Sequence, residues 1–158
     1  MPSLPEHKYE VRTTWTGNTG QGTATYASYS RAHEISMPNK PPIRGTTEVP
    51  RFHDASRYTP EELLVAALSA CHMMWLLHLC ADARITVVSY VDDALGRMAT
   101  RGGTGQFTEV TLRPAMKITD ASRVQDAVAL HEEAHKLCNI ARSVNFPVHC
   151  TPSVTVDS

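Results

Sequence analysis

The longest apolar helical stretch of the chain runs from Thr59 to Ala83 and carries a cysteine at its centre. Thr59 is a favourable N-cap, Pro60 suits the first helical position, and two glutamates follow in the first turn, where they complement the helix dipole. At 100° per residue, one side of this predicted helix holds Leu64, Ala67, Leu68, Cys71, Trp75 and His78. Cys71 is therefore expected among apolar groups.

The residues before this helix alternate in the manner of strands. Lys8 to Thr16 predicts a half-buried strand that ends at a Gly-Asn turn. Thr23 to Met37, rich in Thr and Tyr, predicts one long strand or two strands joined by a bend, paired with the first strand as a hairpin. Pro38 to Arg57 contains four prolines and is expected to form a long loop.

Beyond the helix, the pattern predicts more strands and a second helix. Ile85 to Met98 and Gln106 to Ile118 are expected to form a hairpin around the Gly-rich turn at 101–105. Asp120 or Ser122 caps a helix that runs to about Val144. Its apolar stripe is Ala127, Leu130, Ala134, Leu137, Ala141 and Val144. A strand from Val148 to Val156 completes an α+β order, which we expect to form one domain over residues 1–158.

Composition narrows the class of protein. The net charge of −1 comes from scattered charges with no basic stripe, which argues against nucleic-acid binding. The first residues lack the pattern of a secretory signal, and the apolar run around Met73 to Leu79 is interrupted by His78 and falls short of a membrane span. A soluble cytoplasmic protein without a membrane or nucleic-acid partner is expected. None of the four cysteines forms a CxxC pair, and in the cytosol they are expected to be buried, metal-binding or reactive.

Two of the cysteines suggest redox chemistry. Two helices that cross in one core could bring Cys138 against Cys71, and Cα atoms within about 7 Å permit a disulfide. Because an apolar pocket raises the pKa of a thiol, a reactive thiol there needs a nearby cation. The arginines that precede the helix are Arg31, Arg44, Arg51 and Arg57. Cys80 faces the opposite side of the helix and is expected to be inert.

Three segments carry a resemblance to a known family. They are PEELLVAALSACH at 60–72, HKLCNIARSVNFPV at 135–148 and RFHD at 51–54. Together they resemble the OsmC/Ohr superfamily of thiol-dependent peroxidases, which reduce organic hydroperoxides and, less efficiently, hydrogen peroxide. The resemblance implies an OsmC-like fold, with two antiparallel β-sheet portions around two central helices, in an intertwined homodimer whose active sites lie at the subunit interface.

The same resemblance implies roles for individual residues. Cys71 corresponds to the peroxidatic cysteine, Cys138 to the resolving cysteine, and Glu61 to the acidic member of an Arg-Glu pair whose arginine activates the thiolate. Arg51, in RFHD, is the first choice for that arginine, and Arg31, in YSRAH, is the second. On a straight helix Glu61 and Cys71 lie about 15 Å apart, so one arginine can link them only through a bend or across two subunits.

The implied chemistry passes through a Cys71 sulfenic acid and a Cys71–Cys138 disulfide, which an external dithiol reduces. In the family this reductant is often a dihydrolipoyl group, and no bound cofactor or metal is expected. The roles of Cys80 and Cys150 stay open. Apolar side chains around Cys71 could accept the tail of a hydroperoxide; the candidates are Leu64, Met74 and Trp75.

Two alternatives come from other classes of protein. His131, Glu132 and His135 fit the HExxH pattern, in which two histidines bind zinc and the glutamate acts as general base of a hydrolase. Cys138 could supply a third ligand to such a site. A non-catalytic binding protein on the same fold is the other alternative, and the loss of one cysteine would favour it, but both Cys71 and Cys138 are present.

Overall fold

The computed structural model describes residues 5–157. The contacts between residues divide the chain into two compact units, and the division falls inside the long helix, between Leu63 and Leu64. The N-terminal unit contains one sheet and the start of that helix. The C-terminal unit contains most of the helix, a second helix and six strands.

The N-terminal unit has a three-stranded antiparallel sheet in the order β1-β2-β3. The strands are β1 Arg12–Trp15, β2 His33–Ser36 and β3 Ile43–Gly45. The predicted first hairpin is confirmed, but its strands are shorter because much of the connection is turns, in which Asn18 Oδ1 accepts hydrogen bonds from the backbone of Gly20 and Gly22. The prediction of one long loop at 38–57 is only partly right, since the segment contains β3 and a 3-10 turn at Pro50–Phe52.

The long helix, α1, spans Pro60–Asp82, as its sequence signals predict. Thr59 and Glu62 form a reciprocal capping box: Thr59 N donates to Glu62 Oε2 at 2.8 Å, and Glu62 N donates to Thr59 Oγ1 at 3.2 Å. The helix ends where Arg84 adopts a positive φ of 56° and Ile85 N donates to Cys80 O at 2.8 Å. Both ends are therefore set by local hydrogen bonds.

The buried face of α1 differs from the predicted one. Its buried residues are Leu68, Cys71, His72, Leu76 and Cys80. The sequence predicts Ala67 and His78 on the same side as Cys71, and Cys80 on the other side. In the structure Ala67 and His78 are exposed, so the buried face is rotated from the predicted one. Because α1 is apolar nearly all round, its own sequence does not specify which stripe is buried.

By length and composition alone, α1 is long and apolar enough to cross a membrane, the one such helix among residues 5–157. The expectation that this run is too short for a span is therefore wrong by that criterion. Core helices of water-soluble proteins meet the same criterion.

The C-terminal unit contains two three-stranded sheets and α2. The elements are β4 Val87–Asp92, β5 Leu95–Arg101, β6 Thr104–Leu112, β7 Pro114–Ile118, α2 Val124–Leu137, β8 Val148–Cys150 and β9 Ser153–Val156. The sheet orders are β4-β7-β9 and β5-β6-β8. The predicted hairpin is confirmed for β5 and β6, but β8 and β9 lie parallel to β6 and β7. The expected antiparallel pairing is therefore present in β4–β7 and β5–β6, and each of the two sheets adds one parallel pair.

Each long strand predicted in this unit is two strands that belong to different sheets. The breaks fall at 93–94, 113 and 151–152. Hydrogen bonds join the breaks at 93–94 and 113: Asp92 Oδ1 accepts from Arg113 N at 2.7 Å, and Arg113 Nε donates to Asp93 O at 2.6 Å. The chain therefore switches sheets at these points, which alternating hydrophobicity alone does not reveal.

Two core clusters pack inside the C-terminal unit. The larger consists of Leu76, Cys80, Ile85, Met116, Ile118, Ala127 and Ala134, and the smaller of Leu68, Val110 and Leu112. Because α1 contributes Leu76 to one cluster and Leu68 to the other, it is the element that both clusters share. The second helix is shorter than predicted: α2 ends at Leu137, and Cys138 has an extended backbone (φ −64°, ψ 108°).

Candidate functional site

The structure brings Cys71 and Cys138 together inside the C-terminal unit. Cys71 lies at the middle of α1, and Cys138 is the first residue beyond α2. Cys71 is 8% exposed and Cys138 is 1% exposed, and both thiols are free. The prediction that two helices bring these cysteines into proximity therefore agrees with the geometry, although Cys138 lies at a helix end and not within a helix.

The Cys138 thiol is buried beside Cys71. Burial, together with a side-chain hydrogen bond with Cys71, raises the pKa of Cys138 to about 11. The Cys138 sulfur also accepts a hydrogen bond from Ala141 N at 3.4 Å. Cys138 thus retains its proton at neutral pH, and its S–H can donate to the sulfur of Cys71.

Glu61 lies in the first turn of α1. Its Oε2 is enclosed and has no hydrogen-bond partner among residues 5–157. A buried carboxylate oxygen without a partner is costly, so an additional donor at this position would be stabilising.

The two candidate arginines lie in different surroundings within the N-terminal unit. Arg51 is exposed in the 3-10 turn, with its guanidinium carbon 5.4 Å from the centroid of the Phe52 ring. Within the described part of the chain, no ion pair joins Arg51 to Glu61. Arg31 is held more firmly, by Tyr26 and Tyr29 carbonyls that each accept from its guanidinium at 2.6 Å.

Aromatic rings also surround Arg31. The ring centroids of Tyr29 and Phe52 lie 3.9 and 3.6 Å from its guanidinium carbon, and that of Tyr26 lies at 4.4 Å. Cation–π contact and two hydrogen bonds fix the side chain in place. The structure therefore gives each arginine a local environment, while the choice between Arg51 and Arg31 stays a prediction.

The candidate pocket residues are not equally placed. Leu64 and Trp75 are half-buried, whereas Met74 is 60% exposed. Cys80 is fully buried in the larger core cluster, and burial raises its pKa, which fits the expected inert thiol.

The fold does not bring the HExxH residues together as a metal site. Glu132 is exposed, and the His131 ring is buried with its Nδ1 directed at His72 Nε2, 3.0 Å away. Among the described residues, the group that could hold a metal comprises His72, His131 and Cys150, without His135. We call these three residues the His/Cys cluster. No local spacing links them in sequence, because they lie on α1, α2 and β8.

The histidines of this cluster are neutral at physiological pH. Burial lowers the pKa of His72, and burial together with the neighbouring His72 lowers the pKa of His131 to about 4. Burial, with the charge of Asp92, raises the pKa of Cys150 to about 11. The cluster thus presents neutral imidazoles and a protonated thiol in the absence of other ligands.

Comparison with known families identifies the chain. A family model described as OsmC-like protein matches residues 53–153, which is 101 of the 158 residues. The chain belongs to the OsmC-like family. The predicted resemblance to the OsmC/Ohr superfamily is thereby confirmed.

Solved structures support the fold of this OsmC-like protein. An OsmC-like protein of unknown function from Vibrio cholerae is 31% identical, with a TM-score of 0.82 over 93% of this chain and 99% of its own. An organic hydroperoxide resistance protein from Elizabethkingia anophelis is 19% identical, with a TM-score of 0.64 over 99% and 100% of the two chains. One from Legionella pneumophila is 18% identical, with a TM-score of 0.63 over 95% and 99%. The OsmC-like α+β fold is confirmed; no curated protein matches the chain.

Proposed function

We propose that this OsmC-like protein is a thiol-dependent peroxidase that reduces organic hydroperoxides and, less efficiently, hydrogen peroxide. The observation that carries the proposal is the contact between a slightly exposed Cys71 and a fully buried Cys138 whose thiol keeps its proton. This pair supplies a nucleophile and, beside it, a second thiol that can resolve the oxidised nucleophile. Family membership and the names of two structural neighbours support the same chemistry.

In the first half-reaction the Cys71 thiolate attacks the distal oxygen of the hydroperoxide. An S–O bond forms, the O–O bond breaks, and the alkoxide leaves as an alcohol after it takes up a proton. Cys71 is then a sulfenic acid, oxidised by two electrons. Because Cys138 lies against it, condensation with the Cys138 thiol can follow; an S–S bond forms and water leaves.

In the second half-reaction an external dithiol reduces the Cys71–Cys138 disulfide by thiol–disulfide exchange. The dithiol supplies two electrons and two protons and becomes a disulfide itself. A dihydrolipoyl group is our candidate reductant, because it closes a ring disulfide intramolecularly. No step in this cycle needs a bound cofactor.

Arg51 is proposed to activate Cys71 together with Glu61, and Arg31 is the second candidate. The Oε2 of Glu61 has no partner in the described part of the chain, and it supports a pair with a guanidinium, since it offers an enclosed acceptor. The hydrogen bonds and rings that hold Arg31 in place weigh against its movement towards a substrate. Arg51 is exposed, and its one ring contact among residues 5–157 is Phe52, at 5.4 Å.

We further propose a cytoplasmic homodimer whose subunits each form a single OsmC-like domain. Apolar side chains of α1 remain exposed in one chain, with Met74 60% and Leu77 37% exposed, and a second copy would cover them. Sedimentation at micromolar protein concentration tests this directly, because a monomer would contradict it.

The function is tested by steady-state reduction of cumene hydroperoxide with dihydrolipoamide as reductant. Cys71→Ser should lose turnover, because the nucleophile is gone. Cys138→Ser should complete at most one oxidation before its Cys71 sulfenic acid stalls or is oxidised further. Cys80→Ser is the matched control, since it removes another buried thiol of the same helix and should turn over normally.

Two results would overturn the proposal. One is full turnover by Cys71→Ser. The other is peptide mapping of the wild-type protein after turnover that finds Cys71 and Cys138 still free. Comparison of hydrogen peroxide with cumene hydroperoxide, and of a monothiol with dihydrolipoamide, then defines the preferred substrates.

A further inference from the structure

The His/Cys cluster lies in the C-terminal unit and contains none of the residues proposed for the peroxidase chemistry. His72 is 0% exposed and His131 is 2% exposed, whereas Cys150 is partly exposed. His72 Nε2 and His131 Nδ1 are 3.0 Å apart, and Cys150 Sγ lies 3.7 Å from the first and 3.8 Å from the second. Three donor atoms from three elements therefore form one compact triangle.

The triangle has the dimensions of a tetrahedral zinc site. Zinc–nitrogen bonds of about 2.0–2.1 Å and zinc–sulfur bonds of about 2.3 Å place neighbouring nitrogens roughly 3.3 Å apart and nitrogen and sulfur roughly 3.6 Å apart. The observed 3.0, 3.7 and 3.8 Å agree with these values to within about 0.3 Å. One cation could thus contact all three donors with little rearrangement.

Hydrogen bonding alone does not satisfy the cluster. A neutral imidazole carries one proton, so only one of the two rings can donate across the 3.0 Å contact. The other ring then carries its proton on its outer nitrogen. Those outer nitrogens, His72 Nδ1 and His131 Nε2, are both buried without a partner among the described residues. Hydrogen bonds among the described residues therefore do not account for the close packing of the two rings.

The surrounding charge favours a cation. The Asp92 carboxylate lies near enough for its charge to act on both His72 and Cys150. It is fixed by the Ser69 hydroxyl at 2.5 Å and by Arg113 N at 2.7 Å. A dication with one thiolate and this carboxylate nearby gives a neutral group, which lowers the cost of burying the charge. Partly exposed Cys150 provides the solvent side through which an ion can pass.

We propose that His72, His131 and Cys150 form a binding site for one zinc-class cation, with Zn²⁺ held by two imidazole nitrogens and one thiolate. The donor set suits a borderline-soft metal, because imidazole and thiolate are the ligands that zinc takes most often. On binding, the Cys150 thiol loses its proton to solvent and the thiolate takes up the ion. A fourth coordination position is left for water or another small ligand.

The site stands beside the thiol pair but does not share its residues. His72 follows Cys71 directly, yet its ring meets His131, which precedes Cys138 by seven residues or about 10 Å along a helix. Because each outer imidazole nitrogen lacks an acceptor among residues 5–157, the affinity should be about 10 to 100 times lower than that of a zinc site with those hydrogen bonds. Direct titration is therefore a better test than the metal content of the purified protein.

The experiment titrates metal-free protein with Zn²⁺ against a chromogenic chelator, in the background Cys71→Ser, Cys138→Ser. That background removes the dithiol that could itself bind zinc, and it keeps the test independent of peroxidase activity. We expect one Zn²⁺ per chain. Adding Cys150→Ser or His131→Gln should lower the affinity at least about 100-fold, whereas Cys80→Ser should leave it unchanged. Co²⁺ in place of Zn²⁺ should show a thiolate-to-cobalt charge-transfer band that the Cys150→Ser variant lacks.

A second measurement does not depend on the folding of any variant. In the wild-type protein, saturating Zn²⁺ should slow alkylation of Cys150, read by peptide mapping. Three outcomes would each overturn the proposal. The first is an unchanged zinc affinity after Cys150→Ser, and the second is alkylation of Cys150 that zinc does not slow. The third is no binding at about 100 μM Zn²⁺, which corresponds to a free energy of binding weaker than about −5.5 kcal/mol.

Discussion

Oxidation of Cys71 and Cys138 to a disulfide should stabilise the folded protein by about 4 kcal/mol. The bond would close a loop from Cys71 to Cys138, 68 residues counting both cysteines. In the chain-entropy relation such a loop costs the unfolded state about 15 cal/mol/K, or about 4.4 kcal/mol at 25 °C. Because the two thiols already meet in the reduced fold, little of this gain should be lost to strain.

The assay compares urea unfolding of the protein after peroxide treatment with unfolding in a phosphine reductant. Circular dichroism reports α2, which lies inside the closed loop, and α1, in which the loop begins. The free energies extrapolated to water are compared, and not the midpoints alone, because a cross-linked unfolded chain exposes less surface and lowers the urea slope. In a thermal scan the same gain corresponds to roughly 8–16 °C for a domain of this size.

Cys71→Ser is the control, because it can neither react with peroxide at position 71 nor form the bond, and it should unfold identically in both conditions. A gain below about 1 kcal/mol, or a loss, in protein shown to contain the Cys71–Cys138 bond would refute the reasoning, because a loop of this length predicts about 4 kcal/mol. Such a result would mean that the bond strains the fold or that the unfolded chain is already compact.

Three further predictions concern single groups. Thr59→Ala should lower the free energy of unfolding in urea by about 1 kcal/mol, because it removes the Thr59 half of the α1 capping box. Glu62→Gln retains an acceptor and should lower it by less; equal losses would contradict this. Tyr90→Phe should be neutral or stabilising by up to about 1 kcal/mol, because its buried hydroxyl has no partner among residues 5–157; a clear destabilisation would show that the hydroxyl is hydrogen-bonded. The rate of Cys138 alkylation in the reduced protein, read by peptide mapping, should rise about tenfold per pH unit until the pH approaches the Cys138 pKa of about 11. A rate that levels off by pH 9 would show that burial does not hold the proton on Cys138.

Local signals in the sequence were sufficient for α1. The Thr59 cap, the proline after it and the glutamates of the first turn lie within a few residues of each other, so their hydrogen bonds form without help from distant chain. The same is true of the β5–β6 hairpin, whose turn contains Gly102 and Gly103 at φ of 60° and 83°. Nearest-neighbour structure of this kind can be predicted from sequence because its physical causes are close together in sequence.

Non-local features could not be predicted in this way. The alternation over 85–98 is the same whether it forms one strand or two. The structure breaks it at 93–94, where Asp92 and Asp93 accept hydrogen bonds from Arg113 and the chain changes sheet. The prediction of the buried stripe of α1 is wrong for a related reason. Where nearly every position is apolar, packing partners and not periodicity decide which side is buried.

The candidate site shows the same division. The cysteine segments of the sequence identified Cys71 and Cys138 and the family, because the residues around each are distinctive. The HExxH spacing suggested a metal site between His131 and His135 on one helix face. Tertiary packing instead places His131 against His72 and Cys150, which come from a different helix and from a strand 19 residues later. The sequence by itself determined the family, the helix α1 and the two cysteines that we propose carry the chemistry. Only the folded chain decided which side chains lie against one another, because that depends on contacts between residues that sequence spacing does not relate.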